Sequence, residues 1–317
     1  MKLLFELSGE HPEMPFAELE CVGRVIDRRT QVAIAECPDP AKTERLSLTH
    51  VVMEYLGECD ASKTGLENLL KRLDIHSPGT FAGRVKKMND SPIKDSQLEL
   101  ERTIGSYING TVSLKSPEVE FRAIFSADKC YFGRVIRKID RGGYAYRNPM
   151  RRPFFHPGVM MPIIARALVN LSLVKEGELL FDPFCGTGGV LLEGQLINSN
   201  ILGMDMDREM VAGGRCNLPS SDIVIADATA IPLVPDSVDA VVTDLPYGQS
   251  VCIKADSMAG LYEDSLREIR RVLKPERRAV VVTHLDIARI AEKEFKIVQF
   301  HSQRVHKSLT RRIMVLE

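Results

Sequence analysis

Leu179-Leu-Phe-Asp-Pro-Phe-Cys-Gly-Thr-Gly-Gly-Val190 is the stretch on which the fold turns. Apolar Leu179, Leu180 and Phe181 suit a strand covered on both faces, and the glycines behind them suit a tight turn into a helix. Gly186, Gly188 and Gly189 leave the main chain open to close approach by a ligand. Their order, G-x-G-G, departs from the dinucleotide fingerprint G-x-G-x-x-G, and Asp182, Pro183 and Phe184 stand in front of them. A carboxylate aimed into such a turn repels a pyrophosphate and favours a ligand with a cationic end. Asp182, Phe184, Gly186, Thr187 and Gly188 are therefore candidate ligand-binding residues.

Outward from this turn, strand and helix patterns alternate: Leu179–Asp182, Gly189–Ile197, Ile201–Asp205, Arg208–Cys216, Ile223–Ala226 and Ala240–Asp244. That is the order of a doubly wound, mostly parallel sheet, which binds ligands beyond the carboxyl ends of its strands. Asp205 ends the second strand, where an acid can accept ribose hydroxyls, and Asp227 with Ala228 ends the third, where an acid can receive an adenine amino group. Either acid alone also suits a solvated turn, but the pair at successive strand ends favours adenosine. S-adenosylmethionine joins an adenosine to a sulfonium and an amino acid group, and is the expected cofactor. The fourth strand ends in Thr243-Asp-Leu-Pro-Tyr-Gly248. An exocyclic amine is a poor nucleophile because its lone pair is conjugated with the ring. The Asp244 carboxylate and the Leu245 carbonyl could accept its two protons and aim the lone pair at a methyl group. Pro246 holds Leu245 extended, Tyr247 is placed to stack on the base, and Asp244 is the nearest acceptor for the proton released.

The chain has 317 residues, enough for about two domains, and a formal charge of −1, so any basic surface must be local. Its seven cysteines include no C-x-x-C pair, which predicts no metal site and no disulfide framework, and suits a reducing cytosol. No apolar run approaches membrane-spanning length, so a cytoplasmic protein without membrane attachment is expected, as is a monomer. In the first half, strands are expected at 2–8, 31–36 and 48–56 and helices at 16–26 and 63–73, an α/β sandwich with no nucleophile paired to a base. Between Thr80 and Phe155 fifteen Lys or Arg face eight Asp or Glu. This is either a solvated face or a polyanion-binding module. Residues 141–158 read as a linker in which rings alternate with Arg141, Arg147, Arg151 and Arg152, either one wall of an RNA groove or, for Phe154 and Phe155, a plug between domains. His156 is expected to shape the pocket. Near the end, a helix over 257–273, a strand over 278–284, a helix over 286–294 and a closing hairpin over 295–305 and 311–316 are expected, with Lys307 and Arg311 as loop residues within reach of RNA.

Phe81-Ala-Gly-Arg-Val-Lys-Lys87, Ile104-Gly-Ser-Tyr-Ile108, Val112-Ser-Leu-Lys-Ser-Pro-Glu-Val-Glu-Phe121 and Tyr131-Phe-Gly-Arg-Val135 resemble a THUMP domain with its preceding ferredoxin-like partner. The resemblance implies a ferredoxin-like domain at 1–75, an RNA-binding THUMP domain at 76–140, a linker at 141–158 and a Rossmann-like class I methyltransferase domain at 159–317. Basic Arg84, Lys86, Lys87, Lys115, Arg151 and Arg152 become candidate phosphate contacts. The second half is similar to the class I methyltransferases that act on amines through an Asp-Pro-Pro-Tyr type motif, with Leu245 in the place of the first proline. With Arg152-Pro-Phe-Phe-His-Pro157 and Ala165-Arg-Ala-Leu-Val-Asn-Leu-Ser172 added, it is more similar still to the archaeal tRNA guanine-10 N2-methyltransferases. The resemblance implies methylation of a guanosine N2 in tRNA, once or twice. Another tRNA position or another structured RNA is the alternative, and a non-catalytic RNA-binding protein the less favoured one.

Overall fold

Period-two alternation of apolar residues in the first 140 residues builds one mixed sheet. In the computed structural model, which describes residues 1–247, 258–306 and 309–317, the chain divides into two units, Met1–Asp140 and Arg141–Glu317. The first contains β1 (Lys2–Leu7), α1 (Met14–Glu18), β2 (Arg24–Arg29), β3 (Val32–Glu36), β4 (Thr49–Asp60), α2 (Lys63–Leu73), β5 (His76–Lys87), α3 (Gln97–Tyr107), β6 (Asn109–Val112), β7 (Val119–Ser126) and β8 (Lys129–Lys138). Their order in the sheet is β2-β3-β1-β4-β8-β7-β5-β6. All neighbours are antiparallel except β5, which runs parallel to β6 and β7. Because β4 pairs with β8 along its length, the chain before and after residue 75 shares one sheet. Ser62 caps α2 through the Gly65 N–H, and Ser96 with Glu99 forms a capping box on α3. The apolar stripe Leu66, Leu69 and Leu70 packs in one core with Phe81, Phe121 and Phe132.

The helix expected over 16–26 does not form. α1 ends at Glu18, a 3₁₀ turn covers Leu19–Cys21, and β2 begins at Arg24. The fully buried Glu18 carboxylate accepts hydrogen bonds from the Ser47 N–H (2.8 Å), the Ser47 hydroxyl (2.7 Å) and the Leu48 N–H (2.9 Å), tying α1 to a distant loop. At Gly23 the backbone passes so close to the Glu36 carbonyl that a Cβ would lie 2.3 Å from its oxygen. Only glycine lets the chain turn there into strand pairing.

The second unit contains α4 (Gly143–Tyr146), α5 (Pro162–Leu171), β9 (Leu179–Asp182), α6 (Gly189–Gln195), β10 (Asn200–Asp205), α7 (Arg208–Asn217), β11 (Asp222–Ile225), β12 (Val238–Asp244), α8 (Met258–Val272), β13 (Leu273–Thr283), α9 (Ala288–Ala291), β14 (Ile297–His306) and β15 (Leu309–Leu316). The sheet order is β11-β10-β9-β12-β13-β15-β14. The first five strands are parallel, and β15 is antiparallel to both β13 and β14. After β9 the chain winds outward through β10 and β11, then returns to β12 on the other side. The loops leaving β9 and β12 therefore diverge and open a crevice between them, which puts Asp182 and Asp244 on adjacent strand ends. Phe181, Val241, Leu245, Leu266, Ile269 and Val281 fill one buried core between the sheet and α8. The helix expected over 286–294 shrinks to the single turn α9. The strand expected from 278 starts at Leu273, and the 295–316 hairpin forms as β14 and β15.

Candidate active site

The glycine turn is fastened from below before any ligand arrives. The Cys185 N–H donates to the Met204 carbonyl (2.9 Å) and the Gly188 N–H to the Cys185 carbonyl (2.8 Å). Gly186 and Gly188 take left-handed angles, φ 50° and 80°, which strain other residues. A Cβ at Gly186 would meet only open space, so the backbone there faces a void. Asp205 braces the same turn: its Oδ2 accepts the Gly186 N–H and its Oδ1 the Asp207 N–H, both at 2.9 Å. Burial raises the Asp205 carboxyl above the usual carboxylate range.

A cavity of about 390 Å³ opens over this turn, within the size range of small-molecule sites. Asp182, Phe184, Gly186 and Thr187 line one side of it, and Asp244, Leu245, Pro246 and Tyr247 line another. His156 stands on its wall, as does Met210. Gly188, Asp205, Asp227 and Ala228 are not on the wall. Asp227 Oδ1 is engaged by the Thr229 N–H (2.9 Å) and hydroxyl (2.7 Å), and Ala228 is buried in the core.

Asp182 is 2% exposed, and its Oδ1 accepts from the Thr243 hydroxyl (2.7 Å) and the Phe184 N–H (3.1 Å). Loss of solvent pushes its carboxyl up to about 7, against those hydrogen bonds and with help from the Asp205 and Asp244 charges. Asp244 is pushed up to about 6, again chiefly by burial, with Arg311 and the Tyr247 hydroxyl acting in the other direction. The Tyr247 hydroxyl donates to Asp244 Oδ1 at 2.8 Å, and its ring lies 4.7 Å from that of His284, tilted by 52°. Leu245 is buried at 1% exposure, and its N–H donates to the Val282 carbonyl at 2.8 Å, extending β12 by one rung. The Pro246 carbonyl accepts the Tyr262 hydroxyl at 2.6 Å. The turn is thus held by hydrogen bonds on both sides of Leu245, one of which a proline in its place could not make.

Arg311 was expected in a loop facing RNA, and the structure corrects this. It lies on β15, only 8% exposed, against Asp244 and Tyr247. β15 enters the sheet beside β13 in the opposite sense, so its first residues reach the carboxyl ends of the parallel strands. Nothing local in the sequence marks this, because the contact joins residues on separate strands far apart along the chain. Thr243 and Tyr262 were likewise not assigned roles from sequence. Lys307, and Gly248 of the strand-end motif, lie outside the described residues.

Of the basic candidates, Arg84, Lys86 and Lys115 line one cavity of about 310 Å³ in the first unit, joined there by Arg122 and Lys138. Lys87, one step along β5 and so directed to the other face, donates to the Asp95 carbonyl. Arg151 is exposed, its guanidinium 5.8 Å from the Tyr146 ring. Arg152 is half-buried, and its two terminal nitrogens are enclosed near Gly189 without a hydrogen-bond partner. Phe154 packs on Gly213 of α7 and is fixed by Asn217 at both its N–H and carbonyl, each at 3.0 Å, while Phe155 is exposed.

Fold and cavity together define a class I methyltransferase of the Rossmann-like kind. Comparison with known proteins sharpens this. Residues 149–313 match the RMKL-like methyltransferase domain family. A tRNA (guanine(10)-N2)-dimethyltransferase of Methanothermobacter thermautotrophicus is 33% identical, the match covering 100% of this chain and 99% of that one. That of Methanocaldococcus jannaschii is 30% identical, covering 98% of each. Among solved structures, TrmN from Thermus thermophilus superposes with a TM-score of 0.54 at 21% identity, covering 100% of this chain and 99% of its own, a likeness of fold. The chain belongs to the tRNA (guanine(10)-N2)-dimethyltransferase family.

Proposed function

We propose that this enzyme transfers methyl groups from S-adenosylmethionine to the exocyclic N2 of guanosine 10 in tRNA, giving the monomethyl and then the dimethyl product. The observation that carries this is Asp244. It lines the cavity with its Oδ1 engaged by Tyr247 and stands across from the glycine turn and Asp182. The cofactor fits the residues present. A buried carboxyl pushed up to about 7 lacks a positive partner, and a turn that leaves open space above Gly186 has room for one. Asp182, Phe184, Gly186, Thr187 and Gly188 would hold the methionine end, and Asp205, Asp227 and Ala228 the adenosine. Each Asp205 oxygen accepts one N–H and keeps a second lone pair, and Asp227, whose Oδ1 is taken up by Thr229, offers its Oδ2.

When bound, S-adenosylmethionine supplies an electrophilic methyl group on a sulfonium. Asp244 and the Leu245 carbonyl accept the two N2 hydrogens of the guanine and orient its lone pair. Tyr247 and His156 flank the base. Asp244 would take the one N2 proton that methylation of the guanine nitrogen releases, ending neutral as the cofactor's positive charge is discharged, so charge and atoms balance. Asp244→Ala is expected to abolish turnover while calorimetry shows cofactor binding preserved. Lost cofactor binding would move Asp244 out of this role.

Incubating the enzyme with labelled S-adenosylmethionine and unmodified tRNA, then analysing nucleosides, tests the substrate. N2-methylguanosine mapped to position 10 is expected, and methyladenosine as sole product would reject the assignment. Relatives named tRNA (guanine(6)-N2)-methyltransferase match at 24% identity over 64–66% of this chain, weaker in both respects than the two guanine-10 dimethyltransferases above, which favours position 10. Residues 76–140, as a THUMP domain following a ferredoxin-like 1–75, grip the tRNA through Arg84, Lys86 and Lys115, with Arg151 assisting from the linker, whereas Lys87, turned to the other face, and Arg152, with its terminal nitrogens enclosed, drop out of the expected phosphate contacts. The enzyme acts as a cytoplasmic monomer. Among the described residues no helix is long and apolar enough to cross a membrane, and no group of three or more His, Cys, Asp or Glu could hold a metal ion.

A further inference from the structure

Arg311 brings a full positive charge up against two residues of the cavity wall, Asp244 and Tyr247, where solvent cannot screen it, at 8% exposure. Its guanidinium reaches the Tyr247 hydroxyl and acts on the Asp244 carboxylate. Its Nε is enclosed without a hydrogen-bond partner. The Tyr247 hydroxyl has one proton, and it goes to Asp244 Oδ1 at 2.8 Å, so only its lone pairs can face Arg311. The two contacts form a directed chain, from guanidinium N–H to phenol oxygen and from phenol O–H to carboxylate. The next residue, Arg312, donates to the His284 carbonyl, and the His284 ring packs on Tyr247, so both arginines of β15 steady the same phenol.

We propose that Arg311 is a positioning residue for methyl transfer: it turns the Tyr247 hydroxyl toward Asp244 Oδ1 and keeps the carboxylate ionised, leaving Oδ2 to accept an amine proton. Burial works against that ionised form. The other groups facing Asp244 do not replace the arginine. Asp182 on β9 repels it, Tyr262 on α8 is committed to the Pro246 carbonyl, His284 beyond β13 meets Tyr247 through its ring, and His156 stands on the exposed wall. Without Arg311, burial acts on Asp244 with less opposition and shifts it toward its neutral acid form. It then offers a proton where the reaction needs an acceptor, and the amine is no longer held.

The inference rests on the methyltransferase role of Asp244, and its first test is independent of turnover. Carbon-13 labelling of aspartate carboxyls, with Asp244→Asn to assign the signal, reports the Asp244 titration in the ligand-free protein. Arg311→Met is expected to move that titration upward by about one pH unit or more, and Arg311→Lys by less. Calorimetric S-adenosylmethionine affinity should stay within about threefold, a change below 1 kcal/mol. The acid limb of kcat should move with the titration, so that a one-unit shift in Arg311→Met costs about twofold at pH 7, a larger shift more, and the loss is recovered near pH 9. A titration that stays in place in Arg311→Met overturns the proposal. Should that variant fail to bind the cofactor, Tyr247→Phe decides: breaking the chain at the phenol must shift the titration the same way, and an unmoved one overturns it. A wild-type enzyme that makes no methylguanosine would undo the assigned reaction but leave the titration result standing.

Discussion

Two buried carboxyls set the pH behaviour of the ligand-free enzyme, because lost solvent outweighs the hydrogen bonds that act on Asp182, and Arg311 only partly offsets the solvent lost by Asp244. Their raised values, about 7 and about 6, favour the folded protein when they are protonated. That contribution is present below the ordinary carboxylate range and is lost as pH rises through 6 to 7. Asp182→Asn keeps acceptors for Thr243 and Phe184 and removes the charge. It is expected to stabilise the ligand-free protein at pH 8 by an amount on the order of 2–4 kcal/mol, seen as a higher melting temperature, with a smaller gain at pH 5. The same change should weaken S-adenosylmethionine binding, as measured by calorimetry. In the wild type, a cationic ligand beside Asp182 pulls its proton off. Binding at pH 7 should therefore release a fraction of a proton, seen as a dependence of binding enthalpy on the ionisation enthalpy of the buffer. For Asp244 the sign favours catalysis above pH 6. kcat/KM for tRNA should fall as pH drops through about 6, and a flat profile from 5 to 8 would remove Asp244 as proton acceptor.

At the level of elements, the strand-to-helix turn after β9 was legible because everything that makes it is local: three apolar residues for a buried strand, then glycines at the left-handed positions. The end of β12 was legible as chemistry but not as structure. Leu245 contributes its N–H to the Val282 carbonyl and its side chain to the core behind the turn. Leu245→Pro should cost about 1–3 kcal/mol of stability through that lost bond and packing, with cofactor affinity unchanged. A denaturant titration checks the first and calorimetry the second. The misread helix at 16–26 has the opposite cause. Its apolar spacing suits either period, and the decision came from Glu18 bonding to Ser47 and Leu48 and from Gly23 against Glu36, contacts to residues far along the chain.

Across the whole molecule, charge is sorted by position in the chain, with the excess of Lys and Arg in the segment from Thr80 to Phe155. Many of these cations are paired: Arg122 with Glu6 and Glu120, Arg134 with Glu54, Arg137 with Glu44. Lys86 and Lys115 converge on one cavity with Arg84 instead. The double variant Lys86→Gln with Lys115→Gln should weaken tRNA binding and flatten its dependence on salt by about two phosphate contacts, leaving cofactor affinity untouched. An unchanged salt slope would remove these lysines from the RNA contact. By itself the sequence determined the alternating fold, the glycine turn, the acids at the strand ends and the Asp-Leu-Pro-Tyr turn that follows β12, because each depends on neighbours within one strand and its turn. Only the tertiary structure decided which cations stay unpaired, which carboxyls lose their solvent, and that Arg311 stands beside Asp244. Those properties belong to enclosure and to contacts between distant strands, where burial and Coulomb attraction depend on position in space and not on order along the chain.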